Sequence, residues 1–176
     1  MLMNFFKTAA NLKKIRRQGW VDKLSIKNPE SVADHSYSMA IMGMIISDIE
    51  NYNSEKILKM ILLHDLAESE IGDYTPGEIS IEEKNKLENK AFSKIIQTLP
   101  SNVKIQYETL WRDYQKNESV EAKIVHQLDR LEMALQAKIY QNDGHSKEKL
   151  IPFFKSAENE IIHPKLKELF RNIMDE

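Results

Sequence analysis

Cysteine occurs nowhere in the chain, which excludes disulfide staples, thiolate nucleophiles and zinc sites built on sulfur. Any transition-metal site must therefore draw on His, Asp and Glu. Glycine and proline number only 5 each among 176 residues, too few for a protein made of tight hairpins, whereas Leu, Ile, Lys, Glu and Met are abundant. That balance favours helix. Neither charge dominates: a formal net charge of -2 leaves no broad basic face to wrap a nucleic-acid polymer, although a local basic cluster suffices for one phosphate. No apolar run reaches the roughly 18 residues of a membrane span, and the N-terminal stretch MLMNFFKTAANLKKIRR lacks the long apolar core and small-residue cleavage site of an export signal. The expectation is a cytoplasmic protein without membrane association.

Hydrophobic residues at 41% and charged residues at 30% argue against disorder and for a packed core. One all-α domain over residues 1–176 is expected, its core at about 12–141 and its C-terminal helices, 147–176, packed on that core. Residues 4–18 read as an amphipathic helix with Phe5, Ala9, Leu12 and Ile15 on one face. Lys13, Lys14, Arg16 and Arg17 sit near its end, either complementing the helix dipole or holding a phosphate, and Gly19 reads as its stop. Trp20 follows, a core plug or a ligand wall. From Val21 to Glu30 the periodicity lapses. Ser31 with Asp34 forms a capping-box start for a helix over 32–50, apolar nearly all round from Met39 to Ile46, with His35 in register with Met39, Met42 and Ile46 and so turned inward.

Asn53-Ser54 opens the central helix, which Gly72 and the turn Thr75-Pro76-Gly77 close. A charged surface helix follows over 81–99, periodic through Leu87, Ala91, Ile95 and Ile96. A further helix spans about 102–116, with Ile105, Leu110, Trp111 and Tyr114. The next covers about 119–141, with Val120, Ile124, Leu128, Leu131, Leu135 and Ile139 as its core line and Asp129 beside it, in register with Ala122, Val125 and Met133. Two amphipathic pieces divided at His163-Pro164 make the tail. His126, one turn before Asp129, reads as semi-exposed, and His145 and His163 as structural or surface residues.

The chemistry concentrates in ILKMILLHDLAESEIGD, residues 57–73. His64 and Asp65 lie on or beside an apolar stripe, where an unpaired carboxylate costs several kcal/mol unless a cation or donor meets it. With His35 and Asp129 they make a set of two histidines and two carboxylates from three helices. Such a set leaves positions of a six-coordinate divalent ion open to water and a phosphate oxygen, which suits manganese, iron, cobalt or nickel better than a closed structural zinc.

The order His, His-Asp, Asp resembles the HD superfamily of metal-dependent phosphohydrolases. PESVADHSYSMA around His35, LLHDLAESEIGDYTP around His64 and EAKIVHQLDRLEMALQA around Asp129 are similar to its 5'-deoxynucleotidase branch, bacterial and eukaryotic, over about Leu12 to Tyr140. The resemblance implies a helical HD-domain bundle holding one divalent metal on His35, His64, Asp65 and Asp129. The implied ion is cobalt or manganese first, with iron, nickel, zinc and magnesium also admitted. It further implies hydrolysis of deoxyribonucleoside 5'-monophosphates and a homodimer.

Glu68 matches the family's HDxxE glutamate, implicated in activating the attacking water. Four residues after His64 and three after Asp65, it lies on the same helical face about one turn along, within reach of a metal-bound water. Asp73 matches the aspartate of the GD pair, a catalytic and substrate-binding position near the leaving oxygen, where Gly72 lets the chain fold back. The family's Arg and Trp, adjacent in bacterial members, stand here as Arg17-Gln18-Gly19-Trp20, like the eukaryotic branch. Arg17 is the expected phosphate contact and Trp20 the expected packing near the sugar. Two other readings fit the residues: an HD phosphohydrolase for another nucleotide (a triphosphate, cyclic or alarmone nucleotide), or a non-catalytic domain whose metal cross-links three helices. Extra His-Asp ligands for a second metal are missing, which weighs against a cyclic nucleotide. Helix 81–99 or the tail is a candidate dimer surface.

Overall fold

In chain order the structure, a computed structural model that describes residues 2–75 and 77–176, contains α1 (Leu2–Asn11), a 3-10 turn (Leu12–Lys14), α2 (Gln18–Leu24), α3 (Val32–Glu50), α4 (Ser54–His64), α5 (Glu68–Ile71), α6 (Ile81–Ile96), α7 (Ser101–Lys116), α8 (Val120–Asn142), α9 (Lys147–Glu160) and α10 (Pro164–Asp175). Among the described residues there is no strand, only an isolated antiparallel bridge between Arg16 and Ser31. The all-α expectation holds. Pro76, central to the turn expected after the central helix, lies outside the described residues, as does Met1.

Helices α3, α4 and α8 pack mutually and form the centre, with α7 against α4 and α8, and α9 and α10 against α8. Met39, Ile57, Ile61, Ala122, Val125 and Leu128 are fully buried between them. Ser31 caps α3 as its sequence suggests: its hydroxyl accepts from the Asp34 amide, and the Asp34 carboxylate accepts from the Ser31 amide. A cap of this kind contributes about 1 kcal/mol and fixes where the first turn, and with it His35, begins. Further along α3, Gly43 permits a close crossing with α4, since a Cβ there would stand 2.4 Å from Ile61 Cδ1 and 3.1 Å from Ile57 Cγ2. The Gln127 side chain on α8 accepts from the amides of Ile162 and His163, each at 2.7 Å, and so anchors the tail.

Several boundaries differ from the sequence reading. The helix expected over 4–18 ends at Asn11, tightens into the 3-10 turn and becomes extended at Ile15 to Arg17. There the Arg17 amide donates to the Glu30 carbonyl and the Val32 amide to the Ile15 carbonyl, so pairing with a distant segment outcompetes local helical bonds. Gly19 is no stop; it lies inside α2, which also occupies the start of the segment expected to be irregular. The central helix is not continuous either. It ends at His64, passes through Asp65 at φ −107° and ψ 12°, and resumes as α5 at Glu68 after tight turns in which the Leu66 and Glu68 amides donate to the Leu63 and Asp65 carbonyls. Leu87, Ile105, Val120 and Ile139, expected on core lines, are exposed.

Candidate metal centre

Three helices deliver four ligand-type side chains to one point. His35 enters from the first turn of α3, His64 is the last residue of α4, Asp65 caps that helix, and Asp129 projects from the middle of α8. His35 Nε2 lies 3.2 Å from Asp129 Oδ1 and 3.9 Å from Asp65 Oδ2, and His64 Nε2 lies 3.1 Å from Asp65 Oδ2. Ligand atoms of His35, His64 and Asp129 all fall within 4.8 Å of one another. The helix break matters here. Adjacent residues on an ideal helix diverge by about 100°, and ending α4 at His64 lets Asp65 turn back beside its neighbour.

Both imidazoles are held in a metal-ready tautomer. His64 Nδ1 donates to the Ile61 carbonyl at 2.6 Å; a carbonyl can only accept, so the proton sits on Nδ1. His35 Nδ1 donates to Glu132 Oε2 at 2.5 Å. This directs both Nε2 atoms, buried and without hydrogen-bond partners, into the cluster together with the equally orphaned Asp65 Oδ2. Buried polar atoms are almost always satisfied, and a divalent cation would satisfy all three of these. The donor set, two neutral nitrogens and two carboxylates, is that of a divalent ion.

Electrostatics give the same reading. Burial alone would raise Asp65, but His64, Arg17 and His35 outweigh it and hold the carboxyl well below the usual range. Asp129 is likewise held well down, against burial, by His35, Arg130 and Arg17. Burial and Arg17 would lower His35, yet Asp129 and Glu132 prevail and push it up to about 9.

The other expected residues surround this cluster. Glu68 is 2% exposed, its Oε2 unpartnered, and burial followed by Asp65 and Asp73 raises its pKa far above normal. It reaches the site from the new helix α5 rather than along the face of α4. Asp73 Oδ2 accepts from the Gln18 amide at 2.8 Å, joining the post-α5 loop to the start of α2 beside Arg17. The Arg17 guanidinium approaches Asp65 at 3.6 Å and Asp129 at 3.9 Å; burial opposes its charge, but Asp65, Asp73, Asp129 and Glu68 stabilise it. Trp20 is 2% exposed, packs between Tyr140 and Phe153, and donates to Glu30 Oε1 at 2.8 Å. It presents no open face to a ligand. His126 stacks on Tyr114, and His163 meets the Tyr52 hydroxyl at 3.1 Å; neither joins the cluster.

Five polar residues near the cluster escaped the sequence reading. Glu132, 2% exposed, follows Asp129 by three residues, a helical spacing that points to it only once Asp129 is known to face inward. Glu30, behind Glu132 and His35, is raised to about 7, first by burial and then by the Glu132 charge. Arg130 holds the second Asp129 oxygen at 3.5 Å. Lys84 and Glu88 of α6 also face the site. Burial opposes the Lys84 charge, while Glu68, Glu88, Asp73 and Asp65 favour it.

Comparison with known proteins agrees with this construction. Residues 9–170 match the HD domain family. The chain is 38% identical to the 5'-deoxynucleotidase HDDC2 of Homo sapiens over 169 residues, 96% of this chain and 82% of that protein. It is 40% identical to the 5'-deoxynucleotidase HDDC2 of Dictyostelium discoideum, over 95% of this chain and 93% of that one. Among solved structures it resembles the PH0347 protein of Pyrococcus horikoshii OT3, with a TM-score of 0.82 and 28% identity over 98% of both chains. The chain therefore belongs to the HD domain family, on the branch that holds the 5'-deoxynucleotidases.

Proposed function

We propose that this protein is a metal-dependent 5'-nucleotidase that converts deoxyribonucleoside 5'-monophosphates and water into deoxynucleosides and phosphate. The observation that carries the reading is the convergence of His35, His64 and Asp129 ligand atoms within 4.8 Å of one another, with His35 Nε2, His64 Nε2 and Asp65 Oδ2 buried and unpartnered and a buried, unpartnered Glu68 Oε2 three residues after Asp65. The names of relatives at 38–40% identity support the choice of substrate class.

His35, His64, Asp65 and Asp129 would hold the ion, with cobalt or manganese the expected metal. A divalent ion in that set acidifies water and polarises a phosphoryl oxygen. Glu68 receives the proton of the attacking water. Arg17 offers a guanidinium fork to the phosphate, and Asp73, beside it, faces the 5'-oxygen: as the water oxygen bonds to phosphorus the P–O bond to the 5'-oxygen breaks, and that oxygen leaves with the proton given up by the water. Trp20 supports Glu30 and, behind it, Glu132, and so shapes the site from beneath rather than lining the sugar.

The chain is proposed to act as one domain, in the cytoplasm, as a homodimer. No helix among the described residues is long and apolar enough to cross a membrane. Tyr37, Ile41, Met44, Ile45 and Ile49 form an exposed apolar stripe along α3, the kind of face a symmetric pair covers. Light scattering after gel filtration reads the mass.

The activity test is phosphate release from the deoxynucleoside and ribonucleoside monophosphates in cobalt and in manganese. Release that needs added metal and collapses in His64→Ala and Glu68→Ala is expected. Metal-loaded protein that cleaves no nucleoside monophosphate would sink the reading.

A further inference from the structure

Helix α6 begins as a solvated, highly charged segment. Between Ile81 and Lys90 every residue is exposed except Lys84 and Glu88, one turn apart on a single face. Glu82, Glu83, Lys86 and Lys90, of the same chemical types, point to solvent. Partial burial of a lysine and a glutamate on an otherwise wet helix costs solvation and needs a compensating role.

The two form an ion pair at 3.6 Å, in which the Glu88 side chain is 13% exposed and that of Lys84 33%. The ammonium also donates to the Tyr74 carbonyl at 3.2 Å, one residue beyond Asp73. The segment it grips is tied to α2 as well, through the Asp73 contact with the Gln18 amide and a 3.1 Å bond from Thr75 to Asp22. Lys84 thus stands on the Glu68 and Asp73 side of the centre, whereas Arg17 reaches Asp65 and Asp129. Four carboxylates, Asp65, Asp129, Glu68 and Asp73, face one divalent ion and the guanidiniums of Arg17 and Arg130. That set is balanced without substrate, so an arriving phosphate dianion calls for further positive charge.

We propose that Lys84 is a phosphate-binding residue, held at the site by Glu88 and the Tyr74 carbonyl, that contacts the substrate's phosphoryl oxygens opposite Arg17. The assignment rests on the nucleotidase reading of the same centre. A lysine suits the task as a compact point charge on a long, mobile stem, able to leave one weak ion pair and one carbonyl for a dianion.

Calorimetric titration of the metal-loaded protein with inorganic phosphate tests this without turnover, beside metal content and melting temperature. Lys84→Gln keeps a donor for Tyr74 but not the charge, whereas Lys84→Arg keeps the charge. The Gln variant should bind phosphate about tenfold or more weakly, the loss of one charge-assisted contact, with metal content unchanged and KM raised more than kcat falls. The Arg variant should retain most of the affinity. Should Lys84→Gln not fold, Glu88→Gln serves instead: releasing the ammonium should tighten phosphate binding, and unchanged binding counts against the proposal.

Wild-type phosphate affinity in a folded Lys84→Gln protein overturns it, as does rescue of phosphate binding by Gln but not by Arg, which would make Lys84 a loop clamp. A wild type that binds no phosphate overturns it too. A wild type that binds phosphate through Lys84 yet cleaves no nucleotide overturns only the nucleotidase reading.

Discussion

His35 on α3 and Glu132 on α8 meet at 2.5 Å, Nδ1 to Oε2, with both side chains buried. This contact sets the ring's tautomer and joins two central helices at the point where Nε2 faces Asp129. Removing such an outer partner of a ligating histidine commonly costs about 10–100-fold in metal affinity. Glu132→Ala should lose that much in a competitive chelator titration, and Glu132→Gln, which keeps an acceptor, should lose less. Equal losses would mean that charge, and not ring orientation, is what Glu132 supplies.

A proton on His35 must leave when the metal enters. With its pKa pushed up to about 9 by Asp129 and Glu132 against burial and Arg17, the metal-free ring is protonated at neutral pH, so metal affinity should rise with pH up to about 9 and then level off. Calorimetry in buffers of differing ionisation enthalpy should detect released protons at pH 7. The same raised value has a consequence for folding of the metal-free protein. Its stabilising contribution is complete below pH 6.5 and disappears as pH rises through about 9.

Glu68→Gln removes a proton acceptor while preserving volume. The expected result is a drop in kcat of about 10²–10⁴-fold, the usual worth of a general base, with bound metal unchanged by elemental analysis. Loss of metal in parallel with activity would make Glu68 a ligand instead.

The α3–α4 crossing depends on Gly43. Valine there would press on Ile61 and Ile57, both fully buried, and overpacking of this kind typically costs about 1–3 kcal/mol. Gly43→Val should lower the urea midpoint accordingly and, by spreading the two helices, weaken metal binding as well. A midpoint equal to wild type would show that the crossing has slack.

Away from the site, Lys56 on α4 bridges Asp113 at 2.8 Å and Glu121 at 3.1 Å, at the junction of α7 and α8. Burial opposes all three charges, and the mutual contacts overcome it, raising Lys56 and lowering both acids. The acids therefore stabilise fully above about 4.5, with loss as pH falls through their lowered values, and the lysine stabilises fully below 10.5. For partly exposed pairs the sum is about 1 kcal/mol. Lys56→Met should lose it at pH 7, and its gap to wild type should narrow as pH falls below 3.8, as read by urea denaturation.

Much of this architecture is legible in the residues themselves. Helix α3 and its Ser31–Asp34 cap follow from local chemistry, because a side chain and an amide three residues apart need no other part of the protein. Periodicity placed the long helices for the same reason, and the motif text placed His35, His64, Asp65 and Asp129 on three of them. Other features depend on distant partners. The early end of α1, the extended Ile15–Arg17 and the helical Gly19 arise from pairing with Glu30 and Val32 and from the Asp73 contact with Gln18, none of which a local pattern encodes.

The sequence by itself determined an all-helical chain and the residue types that can bind a cation. Only the tertiary structure decided how they converge: α4 breaks after His64 so that Asp65 turns back, Glu68 arrives from a second short helix, Trp20 is sealed beneath the site, and Lys84 with Glu88 leaves the solvated face. The physical reason is range. Helical hydrogen bonds and caps act over three or four residues, whereas the choice of which charged groups forgo water depends on which others, far along the chain, are close enough to replace it.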